Sequence, residues 1–229
     1  MNPEAESNRF FITLSGIPGS GKTTLAQYLD SLNPGDIDPT FTAMYRSVRT
    51  IPMRWLLTQH GYTGSNTLMG MQEYHRQERD AGNGHSILDQ LQGLENGIFI
   101  IDAVRNTDDA RYIRKKLGSI SLGLIVPLEV AKTRFMLDRN DDKHSNAYVR
   151  EQIRNPYASQ ATWDEYKSVA RENTWNLALS EYGEDPENST HIHNTDAVLD
   201  ANVPFSTLAK NAVHTIRELM DARVRMDIQ

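Results

Sequence analysis

A glycine-rich stretch near the amino terminus constrains the fold of this chain more than any other feature. Residues 16–23 read Gly-Ile-Pro-Gly-Ser-Gly-Lys-Thr and match the pattern G-x-x-x-x-G-K-[ST] at every fixed position. The apolar run Phe10–Ser15 before it is typical of a buried strand, and the leucines within residues 25–32 after it are typical of a helix. Glycines allow backbone amides to surround a phosphate, since any side chain would block the approach. The stretch therefore predicts a strand, a phosphate-binding turn and a helix.

The polar residues of this Walker A pattern each have a predicted part in binding ATP. Lys22 supplies a positive charge to the outer phosphates, and the Thr23 hydroxyl can bind Mg²⁺. The helix that begins near Gly21 adds the attraction of its positive end. The residues predicted to bind the nucleotide in this stretch are Gly16, Gly19, Ser20, Gly21, Lys22, Thr23 and Thr24.

Apolar runs and helical patterns alternate along the rest of the chain. Ile98–Ile101 and Ser121–Val126 indicate buried strands, a helix is expected over Asp108–Leu117, and Thr190–His193 is the expected last strand. Strands that alternate with helices favour a parallel sheet covered on both faces. We therefore expect a single α/β domain over residues 1–229, with three layers and a sheet of about five strands.

Asp102 stands at the end of the apolar run of residues 98–101. A carboxylate in this position can hold Mg²⁺ directly or through water, so Thr23 and Asp102 are the predicted metal residues. Capping of the following helix is the alternative role for Asp102. Asp36 and Asp38 could accept a proton from an acceptor molecule, although the Pro- and Gly-rich turn around them explains both equally well.

The composition excludes several classes of protein. The sequence contains no cysteine, which excludes disulfides, thiol catalysis and cysteine-ligated zinc. Its formal net charge of −6 argues mildly against a protein that coats nucleic acid. No run approaches the roughly 18 apolar residues of a membrane span, and the polar residues 1–8 do not match a targeting signal. We expect a cytoplasmic protein without a membrane partner, while its oligomeric state stays open.

The Walker A pattern occurs in kinases, GTPases, motors and AAA-type machines. The base-reading motif Asn-Lys-x-Asp of GTPases is absent from this sequence. A motor or an AAA module is expected to be longer and to carry an arginine finger for a neighbouring subunit. Spaced arginines in a short chain favour a small kinase, because a transferring phosphoryl group needs its negative charge neutralised.

From about Phe10 to Leu219 the sequence resembles the nucleoside monophosphate kinase superfamily, in particular its dephospho-CoA-kinase-like and archaeal adenylate-kinase-like branch. Besides the Walker A stretch, the segment IFIIDAVRN (Ile98–Asn106) is similar to an apolar strand followed by Asp-Gly-x-Arg. The resemblance implies that Arg105 contacts the acceptor and takes part in catalysis with Lys22. Ala103 departs from the glycine that is usual after the acid.

Two further segments resemble the acceptor side of this family. YRSVRT (Tyr45–Thr50) implies that Arg49 binds a substrate phosphate, and HRQERDAG (His75–Gly82) implies the same for Arg76. Arg46 stands where many relatives carry an acid, so it is a further candidate for an acceptor that is more anionic than usual or differently placed.

Two other segments resemble the ATP side. RFMLDRNDD (Arg134–Asp142) is similar to the helix that runs into a lid, which implies that Arg134 binds ATP and that Arg139 is catalytic. IHNTDAVLD (Ile192–Asp200) is similar to the last strand, which implies that Asn194 lies near the adenine.

The expected activity is transfer of the γ-phosphoryl of ATP, with Mg²⁺, to a small nucleotide-type acceptor such as a (deoxy)nucleoside monophosphate. The resemblance implies a helical acceptor-binding insertion within residues 36–93 and a lid within residues 138–163. One alternative is a kinase acting on a polynucleotide or on a hydroxymethylated base in DNA, as in certain bacteriophages, which the arginines of residues 45–79 favour. The other is a nucleotide-binding switch that hydrolyses slowly or not at all.

Overall fold

Five parallel strands form one sheet in the order β2-β3-β1-β4-β5. The computed structural model describes residues 8–64, 68–82, 84–102, 104, 107–137, 172, 175–176, 179 and 195–226. The strands are β1 (Arg9–Ser15), β2 (Val48–Pro52), β3 (Gly97–Asp102), β4 (Ile120–Ile125) and β5 (Ala197–Asp200). This architecture confirms the predicted three-layer α/β fold with a parallel sheet of five strands.

Helices connect successive strands, as parallel pairing requires. They are α1 (Lys22–Asp30), α2 (Pro34–Ile37), α3 (Phe41–Met44), α4 (Met53–Gln59), α5 (Leu68–Asp80), α6 (Gly84–Asp89), a 3₁₀ turn (Gln90–Gly93), α7 (Thr107–Leu117), α8 (Leu128–Leu137) and α9 (Phe205–Met226). None of the helices in the described ranges is long and apolar enough to cross a membrane.

Side chains that alternate along the strands form two buried cores, one on each face of the sheet. On one face Ile12 and Ile100 pack with Leu25 of α1, together with side chains of α8 and α9. On the other face Phe11 and Phe99 have ring centroids 5.4 Å apart and pack with side chains of α4, α6 and α7. Burial of one such side chain contributes roughly 1.5–3 kcal/mol, so the two cores hold helices on both faces.

The register of the strands brings their carboxyl ends to one edge of the sheet, here called the carboxyl edge. Asp102 of β3 pairs with Leu14 of β1 on one side and with Pro52 of β2 on the other. The glycine-rich turn leaves β1 at this same edge, because Gly16 follows Ser15 directly. Ligands of open parallel sheets bind outside the carboxyl ends of the strands, so the candidate site is expected here.

Strand β2 lies inside the segment that the sequence predicted to be a helical insertion. Only Val48 and Ile51 of its five residues are buried, so no continuous apolar run marks the strand. As an edge strand, β2 needs partners for its outward backbone groups. The Asp30 carboxylate accepts a hydrogen bond from the Thr50 amide, and the Thr50 hydroxyl donates to the Ala26 carbonyl over 2.9 Å. Helix α1 thereby covers this edge.

The last strand lies later in the chain than predicted. The expected strand Thr190–His193 falls outside the described residues, whereas β5 begins at Ala197 and buries only Leu199. Asp196 fixes the start of this strand: its carboxylate accepts a hydrogen bond of 2.7 Å from the Ser121 amide and pairs with Arg114. Side-chain anchoring, which no hydrophobic pattern reveals, therefore determines where β5 begins.

We predict that Asp196→Ala lowers the free energy of unfolding by about 1–3 kcal/mol, because the Ser121 amide loses its charged acceptor. Urea denaturation monitored by circular dichroism measures this change. Glu218→Gln is the matched control, since the exposed Glu218 pairs only with the exposed His214 among described residues, and its effect should stay within about 0.5 kcal/mol. Equal effects of both substitutions would contradict the anchoring role.

Candidate nucleotide-binding site

The glycine-rich turn joins β1 to α1 in a conformation that glycine alone adopts without strain. Gly19 and Gly21 have φ angles of 74° and 91°, in the left-handed region. The loop also lies against α8, since a Cβ atom on Gly19 would be 2.0 Å from the Ala131 carbonyl oxygen. A Cβ atom on Gly21 would have no such neighbour within 4 Å, which leaves open space at the start of α1. The turn is therefore tight on the α8 side and open beside Gly21.

The ammonium group of Lys22 is held inside this loop by oxygen acceptors. Nζ donates to the Gly16 carbonyl, to the Ile17 carbonyl over 2.8 Å and to the Ser20 hydroxyl over 3.4 Å. Lys22 and Ser20 are buried, while Thr24 in the first turn of α1 is exposed. A phosphate oxygen offers the same chemistry as these acceptors, so the lysine is placed to exchange loop oxygens for phosphate oxygens.

Thr23 and Asp102 meet although 79 residues separate them in the chain. The Thr23 hydroxyl donates to Oδ2 of Asp102 over 2.9 Å. The other carboxylate oxygen, Oδ1, is buried and has no hydrogen-bond partner among the residues that the structure describes. An ionised oxygen in this state is costly unless a cation or donor approaches it. Hard oxygen donors of this kind suit Mg²⁺, so the two residues fit the metal that the sequence predicted for them.

Arg134 lies on α8 at the carboxyl end of β5. Its Nη1 donates to the Ala201 carbonyl, one residue past the strand, over 2.9 Å. Because α8 also touches the loop at Gly19, Arg134 and the loop flank the same edge of the sheet. Three other residues predicted for the site, Arg105, Arg139 and Asn194, lie outside the described residues.

Arg46 lies at the amino ends of the strands, whereas the glycine-rich loop lies at their carboxyl ends. Its amide donates to the Asn96 side chain over 2.8 Å just before β3 begins, and it lines a cleft of about 510 Å³ there. Six residues of extended chain separate Arg46 from Pro52 beside Asp102, which is about 20 Å. An arginine side chain does not span that distance, so Arg46 does not reach the Thr23–Asp102 pair, and its part in binding an acceptor stays a prediction.

Arg49 and Arg76 occupy exposed positions on the face of the sheet that carries α4 and α6. Arg49 pairs with Phe99 in the register and lies three residues before Pro52, at the end of β2. Arg76 forms an ion pair with Glu73 one turn earlier on α5, and both side chains are about half exposed. The structure therefore places neither arginine in contact with the glycine-rich loop.

Asp36 and Asp38 are turn residues. The Asp36 carboxylate accepts a hydrogen bond of 2.7 Å from the Asn33 amide in a capping box at α2. Asp38 accepts hydrogen bonds from the amide and hydroxyl of Thr40 and lies 3.2 Å from Arg217. The Thr40 hydrogen bonds, with help from the Arg217 charge, hold the pKa of Asp38 below its ordinary value. These partners support the turn interpretation over that of a catalytic base.

Arg54 is a candidate that the sequence reasoning missed. It is the second residue of α4, is exposed, and follows Pro52, which pairs with Asp102 in the sheet. This places a cation at the carboxyl edge, two residues after the strand position that pairs with Asp102, on a helix that packs on the face of the sheet opposite α1. The sequence would have indicated Arg54 only if residues 48–52 had been identified as a strand, because Arg54 then lies just after the carboxyl end of that strand.

We predict that Gly19→Ala lowers the free energy of unfolding by about 2–5 kcal/mol in the absence of nucleotide. The reason is that a left-handed alanine would also collide with the Ala131 backbone. Gly21→Ala, the matched control, meets no atom and should lose only about 1–2 kcal/mol for its backbone conformation. Urea denaturation measures both, and equal losses would contradict the close packing of loop and α8.

We predict that Asp102→Asn leaves the metal-free protein equally stable or stabilises it by about 1 kcal/mol. The substitution removes the carboxylate whose buried Oδ1 lacks a partner among described residues, while the amide oxygen of asparagine still accepts from Thr23. Thermal unfolding in the presence of a chelator is the measurement, and Glu95→Gln, at an exposed carboxylate, is the control. A loss of stability in Asp102→Asn would show that Oδ1 is satisfied within the fold.

Several solved structures are similar to this chain, and the first of them shares its fold. The crystal structure of APE1195 superposes with a TM-score of 0.50 at 19% identity, covering 94% of this chain and 97% of that chain. Shikimate kinase from Aquifex aeolicus vf5 superposes with a TM-score of 0.45 at 12% identity, covering 93% of this chain and 98% of that chain. A gluconokinase from Sinorhizobium meliloti 1021 gives 0.43 at 12% identity, covering 93% and 97%. No curated protein matches the sequence.

A family model for an AAA domain matches residues 12–155, which include the glycine-rich loop, the Thr23–Asp102 pair and α8. This match corrects the expectation that an AAA-type module would be a longer chain. Since the matched segment is more than half of the sequence, the chain belongs to this AAA domain family.

Proposed function

We propose that this protein is a P-loop kinase that transfers the γ-phosphoryl of ATP to a small phosphorylated acceptor, such as a (deoxy)nucleoside monophosphate, in the cytoplasm. The observation that carries the proposal is the Thr23–Asp102 pair, which lies directly beside a glycine loop that holds a lysine and has one buried oxygen without a partner in the described ranges. Such a site combines the metal ligands, the cation and the backbone amides that phosphoryl transfer uses. The resemblance to nucleoside monophosphate kinases supports the choice of acceptor class.

On the donor side, the loop and Lys22 would bind the triphosphate of ATP. The space beside Gly21 gives the phosphates room, and the start of α1 directs backbone amides toward them. The ammonium of Lys22, now bound to loop oxygens, would neutralise negative charge on the outer phosphates. Arg134, on the helix that touches the loop, would add a second cation.

Thr23 and Asp102 would hold Mg²⁺ through their hydroxyl and carboxylate oxygens. The metal supplies electrostatic stabilisation of charge that develops on the phosphates during transfer. The role of the protein is to fix these two oxygens at the carboxyl edge. Asp102 is only 8% exposed, so little solvent competes with the metal for its carboxylate.

On the acceptor side, Arg54 is placed best among the described arginines. It lies in the first turn of α4, two residues after the strand position that pairs with Asp102, and its guanidinium can bind a phosphate in bidentate fashion. Arg105, which follows Asp102 by three residues, remains the predicted second acceptor contact. Arg49 and Arg76 could join them only if the acceptor extends along the face that carries α4 and α5.

The lid predicted for residues 138–163, with Arg139, would exclude water and suppress hydrolysis of ATP. Described residues on both sides of this segment pack together. The Phe135 and Trp175 rings lie 5.3 Å apart, and Lys132 lies 2.7 Å from Glu172. Contacts of this kind between α8 and residues after the segment would anchor a lid at both ends.

A polynucleotide acceptor is the second candidate, and the distribution of arginines along β2 favours it. Three exposed arginines lie along β2, from its amino end to just past its carboxyl end: Arg46, Arg49 and Arg54. A single mononucleotide cannot use cations spread over about 20 Å, whereas a nucleic acid strand can. Binding of DNA that weakens steeply with added salt would support this alternative.

The test is transfer of labelled γ-phosphate from ATP with Mg²⁺ to a panel of acceptors. The panel holds every ribo- and deoxynucleoside monophosphate, dephospho-CoA, and DNA with and without hydroxymethylated pyrimidines. We expect label in a mononucleotide, and we expect Lys22→Ala to abolish transfer. Lys210→Ala, at an exposed lysine on α9, should retain full transfer and is the control.

Other outcomes would redirect the assignment. Label found only in DNA would establish the polynucleotide alternative. Phosphate released at the same rate with and without acceptors would contradict a kinase and favour a nucleotide-binding switch. Full transfer by Lys22→Ala would contradict the proposed site itself.

A further inference from the structure

We propose that His75 is a positioning residue, which fixes the acceptor-binding insertion to the catalytic edge through its contact with the buried carboxylate of Asp109. The inference rests on the proposed kinase function. It concerns two residues that neither bind nucleotide nor lie in the glycine-rich loop, and that belong to different helices, α5 and α7.

Asp109 is a buried acid close to the candidate site. It lies in the first turn of α7, which starts five residues after Asp102, and its side chain is only 2% exposed. The positive end of the helix favours a negative charge at this position. A buried carboxylate nevertheless requires further compensation from cations or donors.

His75 supplies a cationic partner for Asp109 when it is protonated. Its Nε2 lies 3.6 Å from Oδ2 of Asp109, and its side chain is 13% exposed. This distance is too long for a direct hydrogen bond but suits an ion pair. Because Asp109 lies in the first turn of α7, the helix that follows β3, the contact ties α5 to the carboxyl edge of the sheet.

A second contact of α5 acts together with the first to set the orientation of this helix. Tyr74, the neighbouring residue, shares a hydrogen bond of 3.0 Å between its hydroxyl and Nδ1 of His60, just past the end of α4. Successive helix residues point about 100° apart, so Tyr74 and His75 hold α5 on two different sides. Two such contacts fix the rotation of the helix about its axis as well as its distance from the sheet.

The rotation of α5 decides where Arg76 is presented. Arg76 follows His75 by one residue, so any turn of the helix moves its guanidinium relative to an acceptor at the carboxyl edge. Without His75, the hydrogen bond of Tyr74 and the packing of Met71 on the core would hold α5 less firmly against rotation about its axis. Acceptor use should then suffer, while ATP binding should not, because the glycine loop, α1 and α8 do not contain either residue.

The test is a double-mutant cycle of His75→Gln and Asp109→Asn, with the best acceptor of the transfer panel as substrate. We expect His75→Gln to lower kcat/KM for the acceptor about tenfold and to change the Kd of ATP less than twofold. The double variant should lose no more kcat/KM than the worse single variant, because both substitutions break the same His75–Asp109 contact. His214→Gln is the matched control, since it breaks an exposed contact with Glu218 on α9 and should leave both quantities unchanged.

Hydrogen exchange of residues 68–80 is the independent measurement. Faster exchange there in His75→Gln, with unchanged exchange in α1, would support the tether even if the wild-type protein labels no acceptor, a result that would remove the kinase proposal alone. Unchanged exchange in α5, additive losses in the cycle, or equal losses of acceptor use and ATP affinity would each overturn the positioning role. If Asp109→Asn does not fold, His75→Gln and its control decide the question.

Discussion

The register between β1 and β3 is the constraint on which the candidate site depends. Pairing of Leu14 with Asp102 brings the end of β3 beside the start of the glycine-rich loop. Only in this register does the Thr23 hydroxyl, in the first turn of α1, lie 2.9 Å from the Asp102 carboxylate. A shift by one residue would also turn every side chain of β3 to the wrong face, so the hydrophobic cores and the site specify the same pairing.

The site retains features that a purely structural edge would not need. Asp102 keeps one buried carboxylate oxygen that no described residue contacts by a hydrogen bond, and the Lys22 ammonium donates hydrogen bonds to carbonyl groups of its own loop. Gly19 lies so close to Ala131 that no other residue fits. Each arrangement costs stability or sequence freedom, which is typical of positions maintained for binding. The two hydrophobic cores supply the stability that offsets these costs.

The sequence predicted the parts of the fold that have a strong local signal. The apolar strand β3 and the loop with its flanking elements could be identified because continuous apolar runs and fixed glycine spacing are visible in one dimension. Strand β2 was not, since an edge strand buries only Val48 and Ile51. That omission left Arg54 unnoticed, because only the register shows that it follows the strand end beside Asp102. The capping role of Asp36 likewise depends on geometry.

The central claim is that Thr23 and Asp102 form a metal-dependent nucleotide site, and calorimetric titration of ATP with and without Mg²⁺ tests it most directly. The wild-type protein and Thr23→Val, which keeps the branched shape but loses the hydroxyl, are compared. The account predicts that Mg²⁺ strengthens ATP binding by about tenfold or more in the wild-type protein and far less in the variant. Equal ATP affinity with and without Mg²⁺ in the wild-type protein, or an undiminished Mg²⁺ effect in Thr23→Val, would contradict it.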